Sequence, residues 1–389
     1  MSESSFLSIL LISFGILFVP FLSRLLRIPV AVGEILYGIV IGESVLDLVE
    51  PSQWLSFLST FGFLLLMFAA GLEVKLREIN SLPLKSKFLY TLIPSLVFLL
   101  SFSIGKKLNF NAITCIAVGA ISVGIVVSVL RERGLLSTHY GKTVFLVGTI
   151  GEVLSIALLT LLSLYYEHGL GFEFWLGVGK LILFLVVARI ILIFLKSFVW
   201  WYPDKFKFFF EKNPSEIGVR ISLAVMFALS FGASLINVEP IIGAFIAGMI
   251  FSTVFEETEN IEEKLSGISF GFLIPIFFIY VGINFLMPHI DIHTLKLLAI
   301  LVALSFAVKV IPSLLLVLEN YSLRQALGAG TLLSAPLTLV VVTAELGVKM
   351  GLIDHHTESI LILLAIVTGI GAPTLFNLLV RRENESSNS

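Results

Sequence analysis

Long apolar segments follow one another along this sequence, and their number limits the fold more than any other feature. A helix needs about 20 apolar residues to cross the hydrocarbon core of a bilayer. Hydropathy divides the 389 residues into thirteen such candidates. They lie at roughly 5–24, 29–47, 54–73, 86–105, 110–130, 142–166, 172–199, 216–236, 240–255, 267–287, 295–318, 323–347 and 357–380. The pattern predicts an all-α polytopic membrane protein with about 13 transmembrane helices.

Composition agrees with this class and excludes others. Hydrophobic residues make up 57% of the chain and charged residues only 13%, about half the charged share of a soluble domain. The net charge of −2 gives no general attraction to nucleic acid, so no nucleic-acid partner is predicted. The single cysteine, Cys115, excludes a disulfide framework and a cysteine-based metal site. No cofactor is predicted, and no nucleophile–base pairing indicates an enzyme.

Basic residues in the connections predict the orientation in the membrane, because cytoplasmic loops are enriched in Lys and Arg. Alternate connections carry most of these residues, although Lys106 and Lys107 break the pattern. The basic connections contain Arg24, Arg27, Lys75, Arg77, Lys85, Lys87, Arg131, Arg133, Lys142, Lys205, Lys207, Lys212, Arg381 and Arg382. This asymmetry predicts an N-terminus outside and a C-terminus inside.

Ionisable residues within membrane spans are candidates for function because they are costly to place there. The set is Glu34, Glu73, Glu152, Arg189, Arg220, Glu239, Lys309 and Glu345. Most lie near predicted span ends, where their side chains can reach the interface. Glu152 and Lys309 lie deep within their spans. Glu152 is read as an ion-binding group or a structural ion-pair partner, and Lys309 as a charge partner or a tie between helices.

Two stretches of small residues fall within predicted spans. They are "VGAISVGIVVS" at 118–128 and "GAGTLLSAPLT" at 328–338. Such stretches interrupt helices and free backbone groups to line an ion site, or they allow close helix packing. The predicted break positions are Gly119, Gly124, Gly330, Ser334 and Pro336.

Several motifs in order along the chain resemble the second family of monovalent cation–proton antiporters, which includes bacterial sodium–proton antiporters and potassium-efflux proteins. The matching stretches are "PVAVGEILYGIVIGESVLDL" (29–48), "FLLLMFAAGLEV" (63–74), "VLRERGLLSTHYGKTV" (129–144), "IIGAFIAGMIFS" (241–252), "IPIFFIYVGINF" (274–285) and "ELGVKMGLID" (345–354). The resemblance implies inverted repeats, two crossing broken helices beside an ion-binding acid, a dimer domain, a core domain and a homodimer. The predicted antiporter domain covers 1–380, with a core that includes about 86–166 and 295–380, and 381–389 forms a short polar tail.

The resemblance also places the ion site, and it shows one departure. Many relatives carry two acids, or an amide and an acid, where this chain has Gly151 and Glu152. Ser122 matches a family serine, whereas the usual neighbouring threonine is Ile121. Lys309 matches the basic position that pairs with the missing first acid. Lys309 therefore either pairs with Glu152 or carries a proton of its own.

These residues predict exchange of a monovalent cation for H⁺. Thr149 and Ser155 lie three positions either side of Glu152 and share its helix face. With Ser122 they are predicted to bind the cation, Na⁺ being favoured and K⁺ the alternative, in competition with a proton at Glu152. One acid predicts one proton per cation and electroneutral exchange. The alternative is a channel-like or sensor membrane protein without coupled exchange.

Overall fold

The structure is a computed structural model that describes residues 3–74, 82–201, 217–236, 238–254, 265, 267–287 and 291–380. The predicted polar tail, 381–389, lies outside the described residues. So do several of the basic residues used to predict orientation, namely Lys75, Arg77, Lys205, Lys207, Lys212, Arg381 and Arg382.

The described part of the chain is helical and contains no β-strand. Its fifteen α-helices are α1 (Glu3–Leu26), α2 (Val30–Ile41), α3 (Gln53–Glu73), α4 (Leu84–Lys107), α5 (Ala112–Gly119), α6 (Val123–Glu132), α7 (His139–His168), α8 (Phe172–Trp201), α9 (Ile217–Leu235), α10 (Pro240–Val254), α11 (Ile274–Ile283), α12 (Ile292–Ser313), α13 (Leu323–Leu332), α14 (Leu337–Lys349) and α15 (His355–Leu379). A π-helical turn, Ser269–Leu273, precedes α11, and a 3₁₀ segment, Leu314–Glu319, follows α12.

The predicted spans are confirmed. Among the described residues, ten helical stretches are long and apolar enough to cross a membrane, and three shorter apolar helices complete the thirteen. The shorter ones are Val30–Ile41, Pro240–Val254 and Ser269–Ile283. Two of the ten are interrupted: α5 and α6 together form one span, and α13 and α14 form another.

Local sequence signals explain where many helices begin and end. Asn111, Asp291 and Asp354 each accept a hydrogen bond from the backbone N–H three residues later, which satisfies an otherwise unpaired donor in the first helical turn. Ser322 and Gln325 form a reciprocal capping box at the start of α13.

By their internal contacts the residues group into two compact units. Unit 1 comprises Met1–Ser23, Gly33–Ser81 and Ser163–Phe285. Two pairs of glycines bring its helices into backbone contact. A methyl group on Gly38 in α2 would lie 2.1 Å from the carbonyl oxygen of Ile279 and 2.9 Å from the Cα of Gly282 in α11. Gly71 in α3 and Gly248 in α10 form an equivalent pair, because a methyl group on Gly71 would lie 3.1 Å from the Cα of Gly248.

Unit 2 comprises Arg24–Val32, Leu82–Leu162 and Leu286–Ser389. It contains both interrupted spans. Helix α5 packs against α4, α12 and α14, and α13 and α14 pack against α15. All the candidate site residues predicted from the sequence belong to this unit.

Candidate ion-binding site

The first interrupted span breaks over three residues. Helix α5 ends at Gly119, residues 120–122 are non-helical, and α6 begins at Val123. Ser122 occupies the N-cap position of α6 in an extended conformation, but its hydroxyl does not cap the helix. The hydroxyl is therefore available to a neighbouring helix.

That neighbour is α7, which presents Glu152. The carboxylate is buried, with 1% of its residue surface exposed. Ser122 donates a hydrogen bond from Oγ to Glu152 Oε1 over 3.0 Å. The break and the buried acid are thus in direct contact, and the acid lies at the positive N-terminal end of α6, which favours a negative charge.

Ser155 joins the same break to α7 by a different route. Its hydroxyl accepts the backbone N–H of Ile121 at 3.1 Å and donates to the carbonyl oxygen of Gly151 at 2.7 Å. Thr149, one turn before Glu152, donates its hydroxyl to the carbonyl oxygen of Phe145 at 2.9 Å. All three hydroxyl residues predicted beside Glu152 are buried, and Ser122 donates a hydrogen bond directly to the carboxylate.

The space beside Gly151, which has no side chain, is filled by a neighbouring residue. A methyl group at this position would lie 2.7 Å from Cδ1 and 3.0 Å from Cβ of Ile121. Ile121 therefore fills the space beside α7 that a side chain at position 151 would need. The two departures from the family pattern, Gly151 and Ile121, are adjacent in space and complementary in volume.

Lys309 lies on the other side of the first break. It is completely buried in α12. Its ammonium donates to the carbonyl oxygen of Val118 at 2.6 Å and to Ser305 Oγ at 2.8 Å. Val118 is in the last turn of α5, where the helix dipole presents partial negative charge, so the ammonium is favourably placed there. Glu152 and Lys309 thus contact residues on either side of one break.

The second interrupted span breaks between Leu332 and Leu337. Ser334 and Pro336 lie in this break, and the hydroxyl of Ser334 donates to the carbonyl oxygen of Gly330 at 2.8 Å. Helix α7 passes both breaks, because a methyl group on Gly148 would lie 3.0 Å from Val123 and 3.3 Å from Leu333.

Two of the five predicted break positions need correction. Gly124 is the second residue of α6, and Gly330 lies within α13. Gly330 serves packing, because a methyl group there would lie 2.5 Å from the Cα of Val310. Gly119 is the last residue of α5, directly before the break.

Sequence reasoning missed two polar residues. Ser305 binds the ammonium of Lys309, and the spacing of four residues on one helix is a signal that could have identified it.

The second residue is Glu34. Its position near a predicted span end indicates a side chain that reaches the interface, but in α2 it is only 3% exposed. The cause is that α2 is short and packs closely on its neighbours in unit 1 through Gly38 and Gly42.

A pair of interrupted spans, one of them in contact with a buried carboxylate, is typical of ion-coupled membrane transporters. A family model described as "Sodium/hydrogen exchanger, transmembrane" matches residues 9–382. The chain belongs to this family of transmembrane cation–proton antiporters, which confirms the resemblance seen in its motifs.

Individual proteins agree with the family match. The chain is 30% identical to "Probable Na(+)/H(+) antiporter 3" of Methanocaldococcus jannaschii, over 92% of each protein. It is also 30% identical to "Putative Na(+)/H(+) antiporter YjbQ" of Bacillus subtilis, over 92% of this chain but only 60% of that protein. The solved structure of the sodium proton antiporter MjNhaP1 of M. jannaschii has the same fold, with a TM-score of 0.65, 14% identity and coverage of 97% and 98% of the two chains.

Proposed function

We propose that this protein is a secondary antiporter that exchanges a monovalent cation for H⁺ across the membrane, with both ions competing for Glu152. The observation that carries the proposal is the buried carboxylate bound to Ser122 at the break between α5 and α6. The names of the relatives, which describe sodium–proton antiporters, support the same function. These relatives are transporters, and we propose no enzymatic activity.

Exchange follows from the cost of burying charge. A bare carboxylate in a low-dielectric interior is strongly disfavoured, whereas a carboxylate neutralised by a proton or a cation is not. If only the neutralised site crosses between the two sides, each cation that moves one way is balanced by a proton that moves the other way. Coupling then needs no further device.

The oxygen atoms around Glu152 suit a hard monovalent cation. Ser122, Thr149 and Ser155 supply buried hydroxyl oxygens on or beside the Glu152 face of α7, and the non-helical residues of the break add carbonyl oxygens. We propose Na⁺ as the preferred ion and K⁺ as the alternative. Ser155 also holds Ile121 in place, so its contribution is to shape the break as well as to offer an oxygen.

Substitution of Glu152 tests the site. Glu152→Gln keeps the size of the side chain but removes the charge, so we expect Na⁺-driven proton movement in proteoliposomes to fall to the level of empty vesicles. Glu345→Gln is the matched control, because the half-buried Glu345 lies in α14 and pairs with the exposed Lys349 (3.2 Å). Normal exchange by Glu152→Gln would show that this carboxylate does not carry the ions.

One carboxylate predicts one proton per cation, and therefore electroneutral exchange. We expect the exchange rate at saturating Na⁺ to be unchanged when a K⁺-diffusion potential of either sign is imposed on the vesicles. A rate that follows the potential while remaining coupled to H⁺ would indicate a second charge, for which Lys309 is the candidate. Voltage-driven cation flux without proton movement would instead indicate the channel-like alternative.

We propose a positioning role for Lys309, because its ammonium neutralises the partial negative charge at the C-terminal end of α5 through Val118.

We further propose that unit 2 is the moving core, that the protein works as a homodimer, and that it lies in the inner membrane of a prokaryote with its N-terminus outside. The placement of both interrupted spans in unit 2 supports the first proposal.

A further inference from the structure

A second set of polar side chains in unit 2, buried at its centre, lies outside the candidate ion site. It forms an unbroken series of hydrogen bonds, which we call the polar relay. Its members come from α4, from α7 and from the segment that joins α12 to α13. In order they are Ser86, Glu319, Tyr90, Thr143, Tyr321 and His139.

The contacts of the polar relay are short. Ser86 and Tyr90 each lie 2.6 Å from a different carboxylate oxygen of Glu319. Tyr90 and Thr143 are 2.9 Å apart, and Thr143 and Tyr321 are 2.8 Å apart. The last contact joins the Tyr321 hydroxyl to Nδ1 of His139 at 2.5 Å.

The relay runs between two accessible ends through a buried middle. Tyr90, Thr143 and Tyr321 are buried, Glu319 is half-buried, and His139 is exposed. His139 opens on a cavity of about 440 Å³, which Tyr140, Arg324 and Gln325 also line. Water therefore reaches the imidazole, and Tyr321 also lines this cavity, whereas Tyr90 and Thr143 do not.

Hydrogen bonding fixes a direction in the relay. An ionised carboxylate has no proton to give, so Tyr90 donates to Glu319. Thr143 must then donate to Tyr90, and Tyr321 must donate to Thr143. The remaining contact can form only if Nδ1 of His139 carries a proton and donates it to Tyr321. The 3.4 Å contact of Tyr321 with the carbonyl oxygen of His139 is too long to compete.

Counting protons shows that the two ends are coupled. The four contacts between His139 and Glu319 need four protons, and the three hydroxyls supply three. One end, and only one, must supply the fourth: either Nδ1–H of His139 donates inward, or a protonated Glu319 does so with every hydroxyl reversed. With a proton from neither end, or from both, one contact is lost.

We propose that the polar relay, separate from Glu152, holds neutral His139 in its Nδ1–H tautomer while Glu319 is ionised, and ties α4, α7 and the α12–α13 connection together. The proposed orientation places the polar relay at the cytoplasmic ends of these helices. The tie therefore acts on α7 and α12, the helices that carry Glu152 and Lys309.

The charged and titratable groups on the surrounding turns are consistent with one anion at Glu319. They are Lys85 and Lys87 in α4, Tyr140 and Lys142 in α7, and Arg324 in α13. All the charged members of this set are cations. Tyr140 packs its ring against Tyr321, but its hydroxyl donates to the carbonyl oxygen of Gln325 and is not part of the relay.

Nitrogen NMR of the full-length protein labelled at histidine tests the proposal without any transport measurement. In the wild type, neutral His139 should be the Nδ1–H tautomer. Tyr90→Phe cuts the relay two residues away from the imidazole and should move His139 toward the Nε2–H tautomer. Thr143→Val should have the same effect, and Tyr140→Phe, the matched control, should leave the tautomer unchanged.

An Nε2–H tautomer in the wild type, or an unchanged tautomer in Tyr90→Phe, would overturn the proposal.

Discussion

At the scale of single residues, the pair Gly151 and Ile121 accounts for the single acid of the proposed ion site. Relatives with two polar residues place a side chain where this chain has hydrogen, and here the isoleucine of the neighbouring break occupies that space. The isoleucine also removes a hydroxyl that would otherwise sit beside Ser122. Packing at Gly151, as well as the absence of a second acid, therefore leaves one carboxylate in the proposed site.

Substitution of Gly151 tests this packing. Gly151→Ala should lower the free energy of unfolding by about 1–3 kcal/mol, because the new methyl group would overlap Ile121. In the background of Ile121→Ala the same change should cost less, with a coupling of about 0.5–3 kcal/mol between the two positions. Denaturant unfolding in detergent measures both values.

Gly124→Ala is the control for this experiment, because nothing lies within 4 Å of a methyl group at that helical position. We expect it to be neutral or slightly stabilising. Strict additivity of Gly151→Ala and Ile121→Ala would contradict a direct contact between the two side chains.

At the scale of elements, hydrogen bonds at the ends of helices hold several helices and their flanking residues in place. Lys309 stabilises the C-terminal end of α5, and Ser155 holds the residues that follow it. At the start of α15, Asp354 caps the first turn. Hydrogen bonds from the hydroxyl and the backbone N–H of Thr357 hold the pKa of Asp354 below its ordinary value.

The cap at α15 gives a pH-dependent prediction. The lowered pKa means that the cap stabilises the folded protein fully above the ordinary aspartate pKa of about 3.9 and loses this contribution as the pH falls through the lower folded value. Asp354→Ala should therefore reduce stability by about 1 kcal/mol at pH 7 and by progressively less below about pH 4.

Asp354→Asn is the matched variant, because asparagine is also a good N-cap but does not titrate. We expect it to keep most of the stability at pH 7. Thermal unfolding in detergent across this pH range is the measurement. An effect of Asp354→Ala that is the same at pH 3 and pH 7 would contradict an ionised cap.

At the scale of the whole molecule, the alternation of basic connections assigns a side of the membrane to every helix end. The connection between α2 and α3 is predicted outside, and the connection between α6 and α7 inside. Glu50 and Ser137 lie in these two connections, and both are exposed. The polar relay and the α15 cap are predicted on opposite sides, inside and outside respectively.

Cysteine labelling tests this orientation. In a Cys115→Ala background, an impermeant maleimide added to intact cells should label Glu50→Cys and not Ser137→Cys. Permeabilised cells should label both. Label on Ser137→Cys alone in intact cells would reverse the orientation and assign the polar relay to the outer side.

The sequence predicted the thirteen spans and both interruptions, because long apolar stretches and clustered small residues are local signals. It also placed Ser122 near Glu152, through the family motif. It did not separate the glycines that interrupt a helix from those that serve packing, and so Gly124 and Gly330 were assigned to breaks. The polar relay was invisible because His139 and Tyr321 are 182 residues apart in the chain, and only the folded structure brings them together.

The glycine pairs of unit 1 have a mechanical consequence. Where side chains form a contact, two helices can slide to a second arrangement by changing rotamers. At Gly38–Gly282 and Gly71–Gly248 there are no rotamers to change, since backbone meets backbone. Each of these glycine contacts therefore allows one packed arrangement of its two helices, with no second arrangement of similar energy nearby. The two helix pairs that these contacts connect therefore move as rigid units. Any hinge that unit 1 needs must lie elsewhere along its helices.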